Sequence, residues 1–248
     1  MMDKIVSYWN WRAASYSKGV KRELSNNSKV LWYDILSEAV EGRSGLRSLD
    51  IGTGPGFFAI LLAEMGHQVT ALDSSQAMLD MAAQNVQVAG KEVTFVLSDM
   101  AELPFEDESF DLLVCRNVTW MLKQAQETYN EWYRVLAREG ILLIFDANWY
   151  SWMVHPLKKI QYRLCSLARL LLNYERLVKD KVKIRECQEW THCLPMNDKP
   201  RPSWDEPLLK KAGFRQVTHD WSVNSRTRNW KEHIVYAYAP MFMIKAHK

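Results

Sequence analysis

The chain has 248 residues, of which 48% are hydrophobic and 25% charged, and its formal net charge is only +3. Such a composition is typical of a globular protein with one large domain or two small ones, and the weak charge does not indicate a polyanionic partner. No apolar run approaches the roughly 20 residues of a membrane-spanning helix. Four cysteines without a C-x-x-C pair argue against a disulfide framework and a structural zinc site. Since the first residues also lack the apolar core of a signal peptide, we expect a cytoplasmic protein with no membrane partner.

Residues 46–146 are predicted to form an α/β core, preceded by an aromatic-rich helical lid over residues 1–45. Short apolar runs that predict strands alternate here with longer segments that predict helices. The predicted strands are Leu46–Ile51, His67–Leu72, Val93–Leu97, Phe110–Cys115 and Ile141–Phe145. The predicted helices are Phe57–Met65, Ser75–Ala89 (with Ser74 as its cap) and Gln124–Arg138. This alternation predicts a doubly wound, Rossmann-like and mostly parallel sheet with helices on both faces.

Residues 147–202 interrupt this alternation and are predicted to form a basic helical cap. Between positions 151 and 186 there are nine Lys or Arg residues against three Asp or Glu residues. Apolar residues recur at steps of three and four, which predicts an amphipathic helix; they are Leu157, Ile160, Leu164, Leu167 and Leu171. The charges either form the solvated face of this helix, with the leucines turned towards the core, or cover a pocket and attract an acidic substrate.

The last segment, residues 203–248, is predicted to close the core. Ser203 and Glu206 have the spacing of a capping box, which predicts a short helix that ends at Gly213. Phe214–Val223 and His233–Ile244 are predicted to form an antiparallel pair of strands, which brings the sheet to seven strands.

The most informative motif is the loop Asp50–Gly56, which follows the first predicted strand and opens a helix. Its glycines allow a tight turn and a close approach of the backbone to a ligand at the carboxyl edge of the sheet. A dinucleotide fingerprint would need its third glycine at Phe57, but here the glycine comes one residue earlier. The lysine that follows the last glycine of a P-loop is also missing, since Phe57 stands after Gly56. The spacing therefore favours neither a nicotinamide cofactor nor a P-loop nucleotide.

Residues 46–146 resemble the class I S-adenosylmethionine-dependent methyltransferases, closest to the type 11 and ubiquinone-biosynthesis-like group that acts on small molecules. The resemblance rests on four features in the family's order: the glycine loop, Asp73 after the second strand, Ser98–Ala101 after the third, and Cys115–Trp120 after the fourth. It implies S-adenosyl-L-methionine as the cofactor and S-adenosyl-L-homocysteine as its product.

The resemblance also implies a set of cofactor-binding residues. The loop would pass under the methionine part, Asp73 would accept the ribose hydroxyls, and Asp99 would accept the adenine amine. In this family a tyrosine at about the position of Tyr16 often closes over the carboxylate of the cofactor, and Tyr16 would take this role. The full set is Tyr16, Asp50, Gly52, Thr53, Gly54, Gly56, Asp73, Ser74, Met78, Asp99, Met100, Ala101, Arg116 and Asn117. Two of these have a simpler interpretation, since Asp73 suits a helix cap and Asp99 suits a turn.

Aromatic residues that directly follow the fourth and fifth strands are the candidates for substrate contacts. A sulfonium cation is attracted to the face of an aromatic ring, and flat rings suit a planar substrate. The predicted substrate residues are Tyr8, Trp11, Trp120, Asn148, Trp149 and Tyr150. His155 is the candidate general base, although methyl transfer needs a base only when the acceptor carries a proton that must leave.

The sequence therefore predicts a methyltransferase that acts on a planar or anionic small molecule, as a monomer or homodimer, with no metal. One alternative is an RNA methyltransferase, which the missing Pro-Pro motif after the fourth strand and the weak positive charge disfavour. The other alternative is a non-catalytic regulatory or scaffold protein on the same fold, which would not need the glycine loop and both acids.

Overall fold

The core of the chain is one sheet of seven strands in the described residues. A computed structural model of the chain describes residues 2–174 and 181–248. The strands are β1 (Arg47–Ile51), β2 (Gln68–Asp73), β3 (Thr94–Leu97), β4 (Phe110–Arg116), β5 (Leu136–Ala147), β6 (Arg215–Asp220) and β7 (Met241–His247). Their order is β3-β2-β1-β4-β5-β7-β6, and only β7 runs antiparallel to its neighbours. This arrangement confirms the predicted fold class.

Helices cover both faces of the sheet. The longer ones are α1 (Met2–Leu24), α2 (Asn27–Ala39), α3 (Phe57–Glu64), α4 (Gln76–Val88), α5 (Ala125–Val135), α6 (Pro156–Leu171), α7 (Lys181–Thr191) and α8 (Asp205–Ala212), followed by the short α9 (Ser222–Thr227) and α10 (Trp230–Val235). Successive residues of β4 alternate between two cores: Leu113 packs with α5 and α8, while Leu112 packs with α2 and α3. Because both faces are covered, the central strands β1, β4 and β5 are buried along most of their length.

The strand order reverses between β1 and β4. β1 pairs in parallel with β2 on one side and with β4 on the other. At such a switch point the loops leave in opposite directions and open a crevice at the carboxyl ends of the strands. The glycine loop after β1 and the segment after β4 therefore meet at one place. Candidate site residues that are far apart in the sequence are brought together by this topology.

Two predicted boundaries in the core were wrong. The fifth helix ends at Val135 rather than Arg138, because Leu136 already pairs with Phe110 of β4 and this pairing extends the backbone. The cap of α4 is Ser75 rather than Ser74, since the Ser75 side chain accepts from the backbone N–H of Met78 at 3.2 Å. Tertiary pairing and local hydrogen bonds each override the helix pattern here.

The predictions for the closing segment need three corrections. The Ser203–Glu206 capping box is absent: α8 begins at Asp205 without a side-chain cap, and Glu206 pairs with Lys210 at 2.6 Å. A capping box forms instead between Asn229 and Glu232 at the start of α10, and this helix runs on to Val235, into the first residues of the predicted strand His233–Ile244. The two strands are therefore shorter, with β6 ending at Asp220 and β7 starting at Met241.

The leucine face of α6 points away from the core, which contradicts the expectation that these leucines turn inwards. The opposite side of the helix packs inwards instead, where Tyr162 stacks on Trp152 with ring centroids 4.0 Å apart and meets Tyr238 edge-on at 5.0 Å. Cys165 is also buried on that side. Aromatic packing therefore decides the rotation of the helix. None of the described helices has the length and apolar character to cross a membrane.

Candidate active site

The glycine loop has the shape that its sequence predicts. Gly52 and Gly54 adopt left-handed backbone angles, with φ of 67° and 53°. A Cβ at Gly52 would lie 2.5 Å from the side chain of Val118, and one at Gly54 would lie 3.7 Å from the ring of Tyr16. At position 52 only glycine can adopt this backbone conformation and also leave room for the side chain of Val118. The loop is thereby held directly against the segment that follows β4.

Asp50 lies beneath the loop and shapes it. Its carboxylate is buried and accepts a hydrogen bond from the Thr53 hydroxyl at 2.7 Å. Burial raises the pKa of Asp50 from 3.8 to about 7, against the lowering effect of the Thr53 hydrogen bond. The protein therefore keeps at this point a carboxylate that destabilises the fold when it is ionised.

This cost predicts that Asp50→Asn stabilises the protein in a pH-dependent way. A folded-state pKa above the unfolded value means that the native state binds more protons, so stability falls as pH rises from about 4 to about 7. Relative to wild type, Asp50→Asn should gain up to about 4 kcal/mol between pH 4 and pH 8, at 1.36 kcal/mol per pKa unit. Urea unfolding at both pH values measures the difference. The exposed Asp80→Asn is the control, and an equal gain at both pH values would contradict the prediction.

Asp73 joins the loop to the next helix. Its Oδ2 accepts the backbone N–H of Gly54 and its Oδ1 accepts that of Ser75, both at 2.9 Å. Burial raises its pKa to about 6. An ionised carboxylate has about four acceptor positions, so each oxygen keeps one for a ligand. Asp73 therefore supports the start of α4, as the capping interpretation held, and still presents acceptors to the pocket.

Two adjoining cavities lie at the switch point. The smaller one, of about 80 Å³, is bounded by the glycine loop, Asp73 and the inner side of α1. The larger one, of about 750 Å³, lies between α1, the end of β5, α6 and α10. Four residues line both cavities: Trp9, Tyr16, Arg116 and Asn117. This shared wall is where ligands in the two cavities would meet.

Arg116 and Asn117 form most of the shared wall. The Arg116 guanidinium pairs with Glu23 of α1 at 2.7 Å and lies over the ring of Phe57 at 4.3 Å. Asn117 is left-handed, with φ of 59°, and its Oδ1 accepts the indole N–H of Trp149 at 3.2 Å. The ion pair connects α1 to the end of β4, and the asparagine connects the wall of the smaller cavity to the aromatic lining of the larger one.

Most of the predicted cofactor residues come together around the smaller cavity. They are Tyr16, Asp50, Gly52, Thr53, Gly54, Asp73, Ser74, Met78, Met100, Arg116 and Asn117. Three predicted residues do not line it. Gly56 packs against Ala82 of α4, and Asp99 turns back to accept the backbone N–H of Ala101 at 3.0 Å. The turn interpretation therefore describes Asp99 in this structure, and Met100 alone of that segment reaches the cavity.

The predicted substrate residues divide between the larger cavity and its outside. Tyr8, Trp120, Trp149 and Tyr150 line it, with the rings of Trp120 and Tyr150 4.9 Å apart. Trp11 lies outside, partly exposed. Asn148 also lies outside, since its amide donates to the carbonyl of Arg201 at 3.0 Å.

His155 is not brought to either cavity. It is exposed at the N-terminal cap position of α6 and is absent from the lining of both cavities, so its role as a base remains a prediction that this placement does not support. No histidine lies among the described residues that line the larger cavity. The hydroxyl of Tyr150 and the thiol of Cys187 lie 3.8 Å apart there, and burial raises the pKa of both groups. At neutral pH both are therefore protonated hydrogen-bond donors.

Sequence reasoning missed a buried ion-pair network behind the aromatic wall. Arg201 pairs with Asp146 at 3.3 Å and with Asp205 at 2.9 Å, and all three side chains are inaccessible. Asp146 accepts the backbone N–H of Trp120 at 2.8 Å and the hydroxyl of Thr119. The network therefore holds the turn that carries Trp120. Its one signal in the sequence is an acid directly after the apolar run of β5.

Two arginines of the larger cavity, the buried Arg12 and the half-buried Arg228, were also missed. Arg12 is only 7% exposed, donates to the Ser15 hydroxyl at 2.7 Å and lies 5.6 Å from the centre of the Tyr16 ring. Arg228 donates to the backbone carbonyls of Tyr236 and Ala239. Neither guanidinium forms an ion pair with a carboxylate in the described part of the chain. The cavity therefore combines aromatic walls with a buried arginine, Arg12, that has no carboxylate partner in the described part of the chain, while the charge of Glu232 in the same lining acts on Arg228.

The fold and this site together define a class of protein. A doubly wound sheet of seven strands, with a glycine loop and a strand-end carboxylate at its switch point, is the architecture of Rossmann-like methyltransferases. Residues 49–144 match the methyltransferase domain family. The demethylmenaquinone methyltransferase of Clavibacter sepedonicus is 30% identical over 198 residues, which are 79% of this chain and 76% of that protein. The chain belongs to the class I S-adenosylmethionine-dependent methyltransferases, in the ubiquinone-biosynthesis-like group.

Two further similarities are narrower. The Bacillus subtilis protein YqeM is 38% identical over 106 residues, but the match takes in only 41% of this chain and 42% of that protein. The solved structure of Haemonchus contortus phosphoethanolamine N-methyltransferase 2 with S-adenosyl-L-methionine has a TM-score of 0.58 and 21% identity over 87% of this chain and 51% of that one. This structural likeness shows the fold. Membership of the family confirms the class and the cofactor that the sequence implied.

Proposed function

We propose that the chain transfers the methyl group of S-adenosylmethionine to a planar, anionic small molecule held in the larger cavity. The observation that carries this proposal is the lining of that cavity, where the buried Arg12, which has no carboxylate partner among the described residues, and the half-buried Arg228 lie among aromatic rings. Aromatic faces favour a flat acceptor, and cations in a desolvated site favour a negative one. The cavity adjoins the smaller one at Arg116 and Asn117, so the acceptor would meet the cofactor there.

The residues around the smaller cavity fit the cofactor. Asp73 keeps a free acceptor position on each oxygen for the ribose hydroxyls, and Met78 and Met100 offer apolar contact for the adenine. The glycine loop brings the backbone close, and Tyr16 and Arg116 border the methionine end. When bound, S-adenosylmethionine supplies a methyl group that is already activated by its sulfonium charge.

The chain's own contribution is then alignment, exclusion of water and stabilisation of the acceptor anion. Holding the reacting groups in line is worth about 7–11 kcal/mol in favourable cases. Arg12 and Arg228 lower the pKa of a bound acid, so the acceptor can arrive ionised and needs no general base. Tyr150 and Cys187 can donate hydrogen bonds to it. We further propose that α1, which covers both cavities and pairs with the sheet through Glu23, is the lid over the two ligands.

Replacing Arg12 by methionine tests the acceptor class. We expect KM for an anionic aromatic acceptor to rise about 10- to 100-fold, since a hydrogen bond to a charged group contributes about 1.5–3 kcal/mol. Affinity for S-adenosylmethionine should change less than about twofold, because Arg12 lines only the larger cavity. Methyl transfer is measured with a panel of hydroxybenzoates and the matching neutral hydroxybenzamides.

The control for this experiment is the exposed Arg138→Met, which should leave methyl transfer unchanged. Arg12→Lys keeps a positive charge and should therefore retain part of the preference for the anionic acceptor. If Arg12→Met raised KM equally for the carboxylates and for the amides, the proposal would be contradicted, because Arg12 would then act only through packing. A wild-type enzyme that methylates the neutral amides as well as the carboxylates would contradict the anionic acceptor itself.

A further inference from the structure

Helix α6 exposes a continuous apolar face. Of the fifteen large hydrophobic side chains that are exposed among the described residues, seven lie between positions 154 and 171. Leu157 is 81% exposed and Leu171 is 75% exposed. The others on the helix are Ile160, Leu164, Leu167 and Leu170. Isolated exposed leucines are ordinary, but a contiguous patch of this kind marks an interaction surface.

The spacing places these side chains in one stripe along the helix. Positions 157, 160, 164, 167 and 171 differ by three or four residues, which is the repeat of a single helix face, and 16 residues span about 24 Å. The opposite side is occupied by the packing of Tyr162 and Cys165 against the body of the protein. The stripe is therefore unused by the fold of the described residues.

The charges of α6 indicate what covers the stripe. Between Pro156 and Leu171 there are four Lys or Arg residues and no Asp or Glu. Lys159 and Arg163 are exposed on the flank of the stripe, while Arg169 turns inwards and donates to the carbonyl of Val235 at 3.4 Å. An apolar stripe with basic residues beside it is the pattern of a helix that lies in the interface of an anionic lipid surface.

The neighbouring helix α10 extends this surface. It packs beside α6, as the hydrogen bond from Arg169 of α6 to the carbonyl of Val235 shows, and it exposes Trp230 and Ile234. The ammonium of Lys231 lies 5.6 Å from the centre of the Trp230 ring. Tryptophan and lysine together are typical of membrane interfaces. A second copy of the chain fits less well, because a twofold contact would bring the same cationic flanks together.

We propose that α6 and α10 form an interfacial anchor that docks the protein on an anionic membrane surface. The leucines enter the boundary between headgroups and acyl chains, and Lys159 and Arg163 face the phosphates. A helix that lies in the interface does not need the length of a membrane span. The sequence alone predicted no membrane partner, since it did not show that this stripe stays exposed. This proposal does not depend on which molecule accepts the methyl group. The inner side of α6 carries Tyr162, which lines the larger cavity.

Flotation with vesicles tests the anchor. Purified full-length protein is mixed with vesicles of phosphatidylcholine alone or with about a third phosphatidylglycerol, at low and high salt. We expect the protein to float with the anionic vesicles and to bind at least about tenfold less to the neutral ones, with high salt weakening the binding. Leu157→Ser/Leu164→Ser/Leu171→Ser should lower the partition coefficient on anionic vesicles about tenfold or more. Lys159→Gln/Arg163→Gln should lower it on anionic vesicles only, by a similar factor.

The matched control is Val88→Ser/Leu97→Ser, two exposed apolar residues away from α6, which should bind vesicles like wild type. Unchanged S-adenosylmethionine affinity and thermal unfolding of the triple serine variant show that its fold is intact. Wild-type protein that stays unbound to anionic vesicles would overturn the proposal, and so would equal binding of the triple variant. A dimer in light scattering that the triple variant abolishes, without vesicle binding, would also overturn it, because the stripe would then be a subunit interface.

Discussion

Replacing Asp73 by alanine is expected to weaken the binding of S-adenosylmethionine about 100-fold or more. Two hydrogen bonds from the ribose to a carboxylate would be lost, each worth about 1.5–3 kcal/mol. The backbone N–H groups of Gly54 and Ser75 would also lose their acceptor, which loosens the glycine loop. Calorimetric titration with S-adenosylmethionine and S-adenosylhomocysteine measures the affinity, with NADH as the ligand that should not bind.

A pH series separates the charge of Asp73 from its shape. The pKa of this carboxyl is raised to about 6 by burial, so it takes up a proton as the pH falls from about 7 to 5. Affinity of the wild type for the cofactor should therefore decrease below about pH 6, by up to tenfold per pH unit. Asp73→Asn, which keeps the shape, should show weakened binding without this dependence. The control is the exposed Asp80→Ala on α4, the helix that follows Asp73. An unchanged affinity in Asp73→Ala would refute the ribose assignment.

Replacing Arg201 by methionine is expected to destabilise the protein by about 3–5 kcal/mol, the largest effect on folding that we predict. The change leaves Asp146 and Asp205 as buried carboxylates without their cation, and uncompensated buried charges carry costs of this size. Burial already raises the pKa of Asp146, against the lowering effect of Arg201. Without the arginine this carboxyl should hold its proton to higher pH. The loss of stability should therefore be smaller at pH 5 than at pH 8, as measured by urea unfolding.

The exposed Arg138→Met is the control for Arg201→Met, since its pair with Glu108 at 3.6 Å is open to solvent and should contribute less than about 1 kcal/mol. Arg201→Met should also raise KM for the acceptor, because the turn that holds Trp120 depends on Asp146. A destabilisation below about 1 kcal/mol, or one that is the same at both pH values, would show that the network is not the support that we describe.

The parts of the site that sequence reasoning found are those that local rules govern. Gly52 requires a left-handed backbone, and Asp73 ends a strand beside a glycine loop, so their positions follow from residue type and strand order. The residues that it missed or misplaced depend on distant partners. Asp146 meets Arg201 across 55 positions, and Arg12 enters the larger cavity only because α1 folds over the sheet.

The amino-acid sequence was enough to predict the doubly wound class, the succession of the first five strands along the chain, the glycine loop and the family, because each rests on short-range periodicity or on spacing within one βαβ unit. Which side of α6 faces the protein follows from the tertiary structure alone. A helical repeat of leucines shows that a helix has an apolar face, but it does not show what that face meets. In this chain the stacking of Tyr162 on Trp152 occupies the inner side, and the leucines are left at the surface. Contacts between elements far apart in the chain, rather than the local pattern, therefore set the larger cavity and the exposed face of α6.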